Sequence, residues 1–218
     1  MTVYLALALA ALFLFPKMAQ QATTFTMLSQ DANATMEKYA GYWDDTTIIS
    51  KPTQTGQYHD GEIVATITIP QMGFYEMPIY YGANDVNNNW QITTPGYVGG
   101  WDMFGERGRS AVGAHNYQLF TELPVMVPGE KFIVETAGEV FVYEVTGSHI
   151  YDHLKEDWGA VAYQAAELYS VTLMTCYPIE QGAAATKDMY LVYSRMVRGI
   201  QYVESEGNAG GALAPPVF

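Results

Sequence analysis

The chain has 218 residues, 49% of them hydrophobic and 14% aromatic, which is enough for one sizeable core and excludes a disordered composition. Its net charge is −13 with ten Lys and Arg residues, so nucleic acid and anionic lipid surfaces are excluded as electrostatic partners. Cys176 is the single cysteine, which excludes an internal disulfide and a cysteine-based zinc site.

Segment 1–17 contains an apolar run, Val3 to Phe15, that Pro16 and Lys17 end. As a helix this run would span about 20 Å, less than the roughly 30 Å hydrocarbon core of a bilayer. The basic start of a signal peptide is also missing. The run fits the apolar part of a signal peptide or a membrane anchor truncated at its start, with a buried core helix as the alternative. The signal-peptide and the membrane-anchor interpretations both predict that the domain lies at the extracytoplasmic face of the cell membrane.

Residues 18–60 predict a lead-in made of helix and loop. Within 20–42, apolar residues recur at loose helical spacing and predict a helix: Met27, Leu28, Met36 and Tyr39. The part 43–60 holds Asp, Thr, Pro and Gly without periodicity and predicts a loop.

A β-rich domain is predicted over 61–203, followed at 204–218 by a small-residue tail that predicts disorder. Period-two alternation or short apolar runs predict strands at 63–69, 74–81, 110–116, 127–134, 140–150, 171–176 and 189–200. About eight short strands with irregular connections and few helices predict an all-β fold, a closed β-barrel.

Cys176 ends the strand predicted at 171–176, because Tyr177 and Pro178 follow it and proline cannot continue a strand ladder. A group at the end of a strand is held rigidly and can still be reached from solvent. The alternative is a buried, inert thiol, since cysteine is among the most buried residue types. A nucleophilic cysteine needs a nearby imidazole, because only the thiolate attacks carbonyls well.

His115 ends an apolar strand and is therefore the candidate partner of the thiol. The other histidines lie in polar or turn-like stretches and are predicted to be surface residues: His59, His149 and His153.

The sequence Thr-Leu-Met-Thr-Cys at 172–176 resembles the Thr-Leu-x-Thr-Cys motif around the nucleophile of sortases, the cysteine transpeptidases of Gram-positive cell surfaces. At His115 the family has Ala-Gly-His, where this chain has Gly-Ala-His. Further segments resemble the family in the same order along the chain: 77–82, 94–100, 120–123 and 129–134. The resemblance covers 61–200 and implies a closed sortase-like barrel of about eight strands with short helices and an N-terminal helix.

The resemblance implies that Cys176 attacks the Thr carbonyl of a Leu-Pro-x-Thr-Gly-like sorting signal and forms a thioacyl enzyme. His115 would protonate the departing Gly amine, and Thr175 would hold the oxyanion or the peptide. The implied partners are secreted surface or pilin proteins and an amine on a peptidoglycan cross-bridge or a pilin lysine. No cofactor is implied. Some relatives bind calcium through loop carboxylates, but the sequence does not locate such a cluster.

Sortases also place an arginine near the start of the strand that follows the cysteine loop, and here the chain departs from the family. If 190–192 lies in that strand, the arginine position falls at Asp188 or Met189, with Lys187 as a nearby cation for substrate. If the loop is longer, Arg195 takes the role, and it is the residue that we nominate. The two alignments differ by six residues, or about 20 Å along a strand.

Two alternative functions and one further feature remain open. Other thiol peptidases fit poorly, because a papain-like enzyme places Cys before His and a caspase-like enzyme carries Gln-Ala-Cys-x-Gly. A sortase-shaped binding or accessory protein without turnover is supported by the uncertain arginine. Pilin-polymerising sortases carry a lid with an Asp-aromatic pair in this region, so a lid within 43–60 is a further expectation. In this chain the order of the pair is reversed, as Trp43-Asp44.

Overall fold

The computed structural model describes residues 31–53, 56–82, 91–164, 166–179 and 187–203. The predicted anchor at 1–17 and the predicted tail at 204–218 lie outside the described residues. In the described ranges, no helix is both long and apolar enough to cross a bilayer.

Strands make up most of the described structure. They are β1 (Ile48–Pro52), β2 (Ile63–Ile69), β3 (Phe74–Tyr81), β4 (Ile92–Thr94), β5 (Arg109–Gly113), β6 (Lys131–Thr136), β7 (Glu139–Tyr151), β8 (Ser170–Cys176) and β9 (Met189–Val203). The helical pieces are short: α1 (Ala32–Lys38), 3-10 turns at Pro70–Met72, Gly96–Gly99 and Leu119–Val125, and a π-helical turn at Gly159–Gln164.

Eight of the strands close into a barrel. The sheet has the order β1-β9-β7-β6-β2-β3-β4-β5-β8, and an additional pairing joins β8 to β9. Because β9 pairs with both β7 and β8, the ring from β9 through β7 to β8 has no open end. β1 lies outside this ring and pairs in parallel with the last residues of β9. The prediction of a closed all-β barrel of about eight strands is confirmed.

The barrel interior is filled by the alternating apolar residues that predicted the strands. In β2, Ala65, Ile67 and Ile69 are buried, whereas Thr66 between them is only partly covered. Phe132 from β6 and Leu173 from β8 are fully buried in the same core. Burying one such side chain contributes about 1.5–3 kcal/mol, so the core supplies the main stabilisation of the barrel.

The helix α1 is anchored to the outside of the barrel by the residue that follows it. Tyr39 is 1% exposed and packs against Ile133 and Val142. Its hydroxyl donates a hydrogen bond to the Glu135 carboxylate, which also accepts one from Lys38 Nζ at 2.5 Å. A short helix is marginal in isolation, so these contacts hold α1 in place.

The prediction of a loop over 43–60 was wrong in one respect, because this range contains β1. Ile48 and Ile49 at its start are both exposed, so β1 buries no alternating face. It is held by backbone pairing with β9 and not by packing. A strand of this kind leaves no period-two pattern in the sequence.

Candidate active site

The strands β5 and β8 run in parallel and bring His115 to Cys176. Their register pairs Gly113 with Met174, and the pairing continues one step further through a hydrogen bond from Ala114 N to Met174 O at 3.4 Å. Two residues beyond Gly113 and Met174, the two segments reach His115 and Cys176. Adjacent strands lie about 4.8 Å apart, so continuing this register past the end of β5 at Gly113 leads to His115 beside Cys176.

The Cys176 side chain belongs to the outer face of the sheet. Along β8, Leu173 faces the barrel core, whereas Met174 packs on the outside against a cluster that includes Ala111 of β5. Residues two apart share a face of a strand. Cys176 therefore lies on the same face as Met174, and both Cys176 and His115 are only partly buried.

The environment of Cys176 disfavours the thiolate. The residue is half-buried, and desolvation raises the pKa of its thiol above the ordinary value. A largely protonated thiol needs a base before it can attack a carbonyl. His115 is the predicted base, and its ring is stacked on the ring of Tyr117, with 5.1 Å between centroids and 22° between planes.

Two hydrogen bonds connect the His115 and Cys176 segments on either side of the pair. Thr175 Oγ1 donates to the carbonyl oxygen of Ala114 at 2.8 Å. Asn116 Nδ2 donates to the carbonyl oxygen of Pro178 at 2.7 Å. Thr175 is 1% exposed, and its hydroxyl is used within the protein. This bond gives the Thr175 side chain a structural role, and its predicted role at the oxyanion or the peptide stays a prediction.

The ladder between β8 and β9 decides between the two alignments of the family arginine. Cys176 pairs with Met189, and Thr175 pairs with Tyr190. The structure therefore shows the first alignment, in which 190–192 lies in the strand after the cysteine loop. The residue opposite the Cys176 thiol is Met189, which carries a thioether and no positive charge. Lys187 is exposed and lies two residues before Met189. It is the cation nearest in sequence to the position at which the arginine was expected.

Arg195 is not brought to the thiol, so its nomination is corrected. It pairs with Glu144 on β7, with 2.8 Å between Nη2 and Oε1, and its side chain is 51% exposed. Six residues of strand separate it from Met189, which corresponds to about 20 Å. The sequence does not determine the length of the loop after Cys176. The alignment that nominated Arg195 was preferred because it kept an arginine in the site, and it was wrong.

A second imidazole, predicted to be a surface residue, lies at the same end of the barrel. His153 Nδ1 is 2.6 Å from Asp188 Oδ1, and the main-chain N–H of His153 donates to the same oxygen at 3.0 Å. These bonds lower the pKa of Asp188. The carbonyl oxygen of Asp188 accepts a hydrogen bond from the N–H of Tyr177, which follows the nucleophile. The pair therefore supports the segment after Cys176.

Among the described residues, one group of side chains has the spacing of metal ligands. Ligand atoms of Asp152, His153 and Asp188 lie within 4.8 Å of one another. Asp152 is already paired with Lys155 at 2.6 Å, and His153 with Asp188. Calcium takes six to eight oxygen ligands, which two carboxylates and a ring nitrogen do not supply. We therefore assign no metal to this group.

The expected lid is not formed by Trp43-Asp44. Trp43 packs with Tyr39 and Val142 on the outside of the barrel, and its carbonyl accepts a hydrogen bond from Lys131 Nζ at 2.6 Å. Val142 pairs with Arg198, nine residues after Met189 on β9. That separation corresponds to about 30 Å of strand, so Trp43 lies far from the thiol.

The fold is an eight-stranded closed barrel in which β8, ending at Cys176, runs parallel to β5, which leads to His115. The family model for the Sortase domain matches residues 67–197, more than half of the chain. The chain belongs to the sortase family. A comparison with curated proteins found no match.

Solved structures with this fold include three sortases. SrtA of Actinomyces oris is 21% identical with a TM-score of 0.55, and the match covers 77% of this chain and 97% of that one. SrtF of Corynebacterium diphtheriae is 18% identical with a TM-score of 0.54, covering 74% and 96%. The Clostridium perfringens Sortase D5 transpeptidase is 17% identical with a TM-score of 0.51, covering 81% and 95%. At these identities the likeness establishes the fold.

Proposed function

We propose that this sortase cleaves a Leu-Pro-x-Thr-Gly-like sorting signal through a thioacyl intermediate on Cys176 and transfers the acyl group to an amine. The observation that supports the proposal is the parallel register of β5 and β8, because continuing it two residues past Gly113 and Met174 reaches His115 and Cys176. Family membership supports a cysteine transpeptidase in general. The particular signal and acceptor are part of the proposal.

The reaction uses the two side chains in turn. His115 accepts the thiol proton, and the Cys176 sulfur attacks the Thr carbonyl carbon. The carbonyl oxygen becomes an oxyanion, which collapses as the Thr–Gly C–N bond breaks. His115 returns the proton to the departing Gly amine. An incoming amine then attacks the thioester, which restores the thiol and leaves a new amide bond.

The substrates and location that suit this reaction are those of a surface enzyme. We propose secreted surface or pilin proteins as acyl donors, and an amine of a peptidoglycan cross-bridge or of a pilin lysine as acceptor. The place of action is the extracytoplasmic face of the cell membrane, with the apolar run within 1–17 as the anchor. The acidic composition of the chain supports neither nucleic acid nor an anionic lipid surface as a partner.

The test is a peptide assay with and without an amine. A fluorogenic Leu-Pro-x-Thr-Gly peptide is incubated with wild type, Cys176→Ala and His59→Ala, and His59 serves as an exposed control histidine. Cleavage by wild type and His59→Ala, with transfer when the amine is added, is the expected result. Cleavage that survives Cys176→Ala would refute the proposal.

A second candidate function is a sortase-shaped binding or accessory protein without turnover. The observation in its favour is Met189, which stands opposite Cys176 where a guanidinium would polarise the carbonyl. In the same assay this candidate predicts that wild type binds the peptide, for example by fluorescence polarisation, and releases no product over many hours.

A further inference from the structure

Asn116 is a buried polar residue beside the imidazole, and its side chain crosses to the segment that carries the thiol. It is 4% exposed and directly follows His115. Its Nδ2 donates to the carbonyl oxygen of Pro178, two residues after Cys176, at 2.7 Å. A carbonyl oxygen can only accept, so the amino side of the amide must face Pro178.

This bond lies where the strands no longer hold the two segments together. β5 ends at Gly113 and β8 ends at Cys176, so the regular ladder stops short of His115. The chain then turns back, and the His115 carbonyl accepts a hydrogen bond from Phe120 N at 3.2 Å. On the barrel side of the pair, Thr175 bonds to Ala114. On the far side, the bond from Asn116 joins the two segments.

We propose that Asn116 is a positioning residue that keeps the His115 imidazole in register with the Cys176 thiol. The inference rests on the proposed function for its kinetic consequence. At 4% exposure, Asn116 is covered by the protein and acts through its two neighbours instead of touching the peptide. Losing the bond lets the turn after His115 shift relative to the thiol, and displacements of about 1 Å can cost about 100-fold in rate.

Two substitutions remove the bond in different ways. Asn116→Ala deletes the amide, and Asn116→Asp keeps its volume but faces the Pro178 carbonyl with an oxygen that cannot donate. The second variant keeps the test decisive if the alanine variant folds poorly. The matched control is Thr121→Val, which removes hydrogen bonds from Thr121 Oγ1 to Asn116 O and Gln118 O within the same turn. It leaves the contact with Pro178 intact.

The kinetic readout separates positioning from substrate contact. For Asn116→Ala and Asn116→Asp we expect kcat for the sorting peptide to fall about 10- to 100-fold, with KM within about two-fold of wild type. Thr121→Val should keep both constants within about two-fold. A normal kcat in both Asn116 variants overturns the inference. So does a rise in KM at constant kcat, or an equal loss in Thr121→Val.

A second readout needs no peptide. Cys176 is alkylated with iodoacetamide at pH 7.5, and the rate constant is compared between variants. Displacing the imidazole removes the group that takes the thiol proton, so Asn116→Ala should react at least about three-fold more slowly than wild type and Thr121→Val. Equal rates would refute the positioning role. If wild type cleaves no sorting peptide, the proposed function fails, and the alkylation comparison alone decides on Asn116.

Discussion

Replacing Arg195 by alanine is expected to leave peptide cleavage unchanged, although a guanidinium is the group that sortases use beside the thiol. The magnitude follows from the register of β9, which puts Arg195 about 20 Å along the strand from the residue opposite Cys176. At that distance two unit charges in water interact by about 0.2 kcal/mol, a factor of about 1.4 in rate. Salt at 0.15 M screens this further, because the Debye length is about 8 Å.

A guanidinium that contacted the oxyanion would behave very differently. Removing one such donor typically costs about 100- to 1,000-fold in kcat. The assay is kcat/KM for the fluorogenic sorting peptide, measured for wild type and Arg195→Ala. Glu144→Gln is the matched control, because it breaks the same exposed ion pair from the other side. That pair contributes at most about 1 kcal/mol to stability.

The outcomes separate the two alignments. We expect both variants to stay within about two-fold of wild type. A loss of ten-fold or more in Arg195→Ala alone, at an unchanged melting temperature, would show that Arg195 reaches the carbonyl and that the register is wrong. The complementary change is Met189→Arg, which restores a guanidinium opposite Cys176 and should raise kcat/KM at least about ten-fold. No gain in that variant would contradict the placement.

Two further predictions concern the thiol and the anchoring of α1. Because burial raises the pKa of Cys176, alkylation by iodoacetamide should reach half its maximal rate at a higher pH than alkylation of free cysteine measured alongside. A midpoint at or below that of free cysteine would contradict the effect of burial. Tyr39→Phe removes a partly buried hydrogen bond to the Glu135 carboxylate and should lower the free energy of unfolding by about 1–2 kcal/mol in urea titrations. An unchanged midpoint would refute the anchoring role.

Most of the strands could be predicted from the sequence because their signals are local. In β2, alternation of apolar and polar residues marks a half-buried strand, and Ala65, Ile67 and Ile69 face the core as predicted. Pro178 marks the end of the cysteine strand. By contrast, β1 is held by backbone bonds with an exposed face, so its residues carry no such pattern.

The remaining parts of the site depend on contacts between distant segments. The bond from Asn116 to Pro178 joins residues 62 positions apart, and the pair of His153 and Asp188 joins residues 35 apart. No spacing in the sequence indicates either contact, because both arise from the order of β7, β9, β8 and β5 around the barrel. The arginine position depended on the register across the loop after Cys176, which the sequence leaves free.

Intact-mass spectrometry of the enzyme mixed with a sorting peptide tests the central claim most directly, because the claim is that Cys176 and His115 act together on one carbonyl. We predict a covalent adduct with the mass of the peptide acyl group, mapped to Cys176 and discharged by an added amine. The adduct should be absent in Cys176→Ala and strongly reduced in His115→Ala. Turnover with no adduct on Cys176, or an adduct that forms equally fast in His115→Ala, would contradict the account.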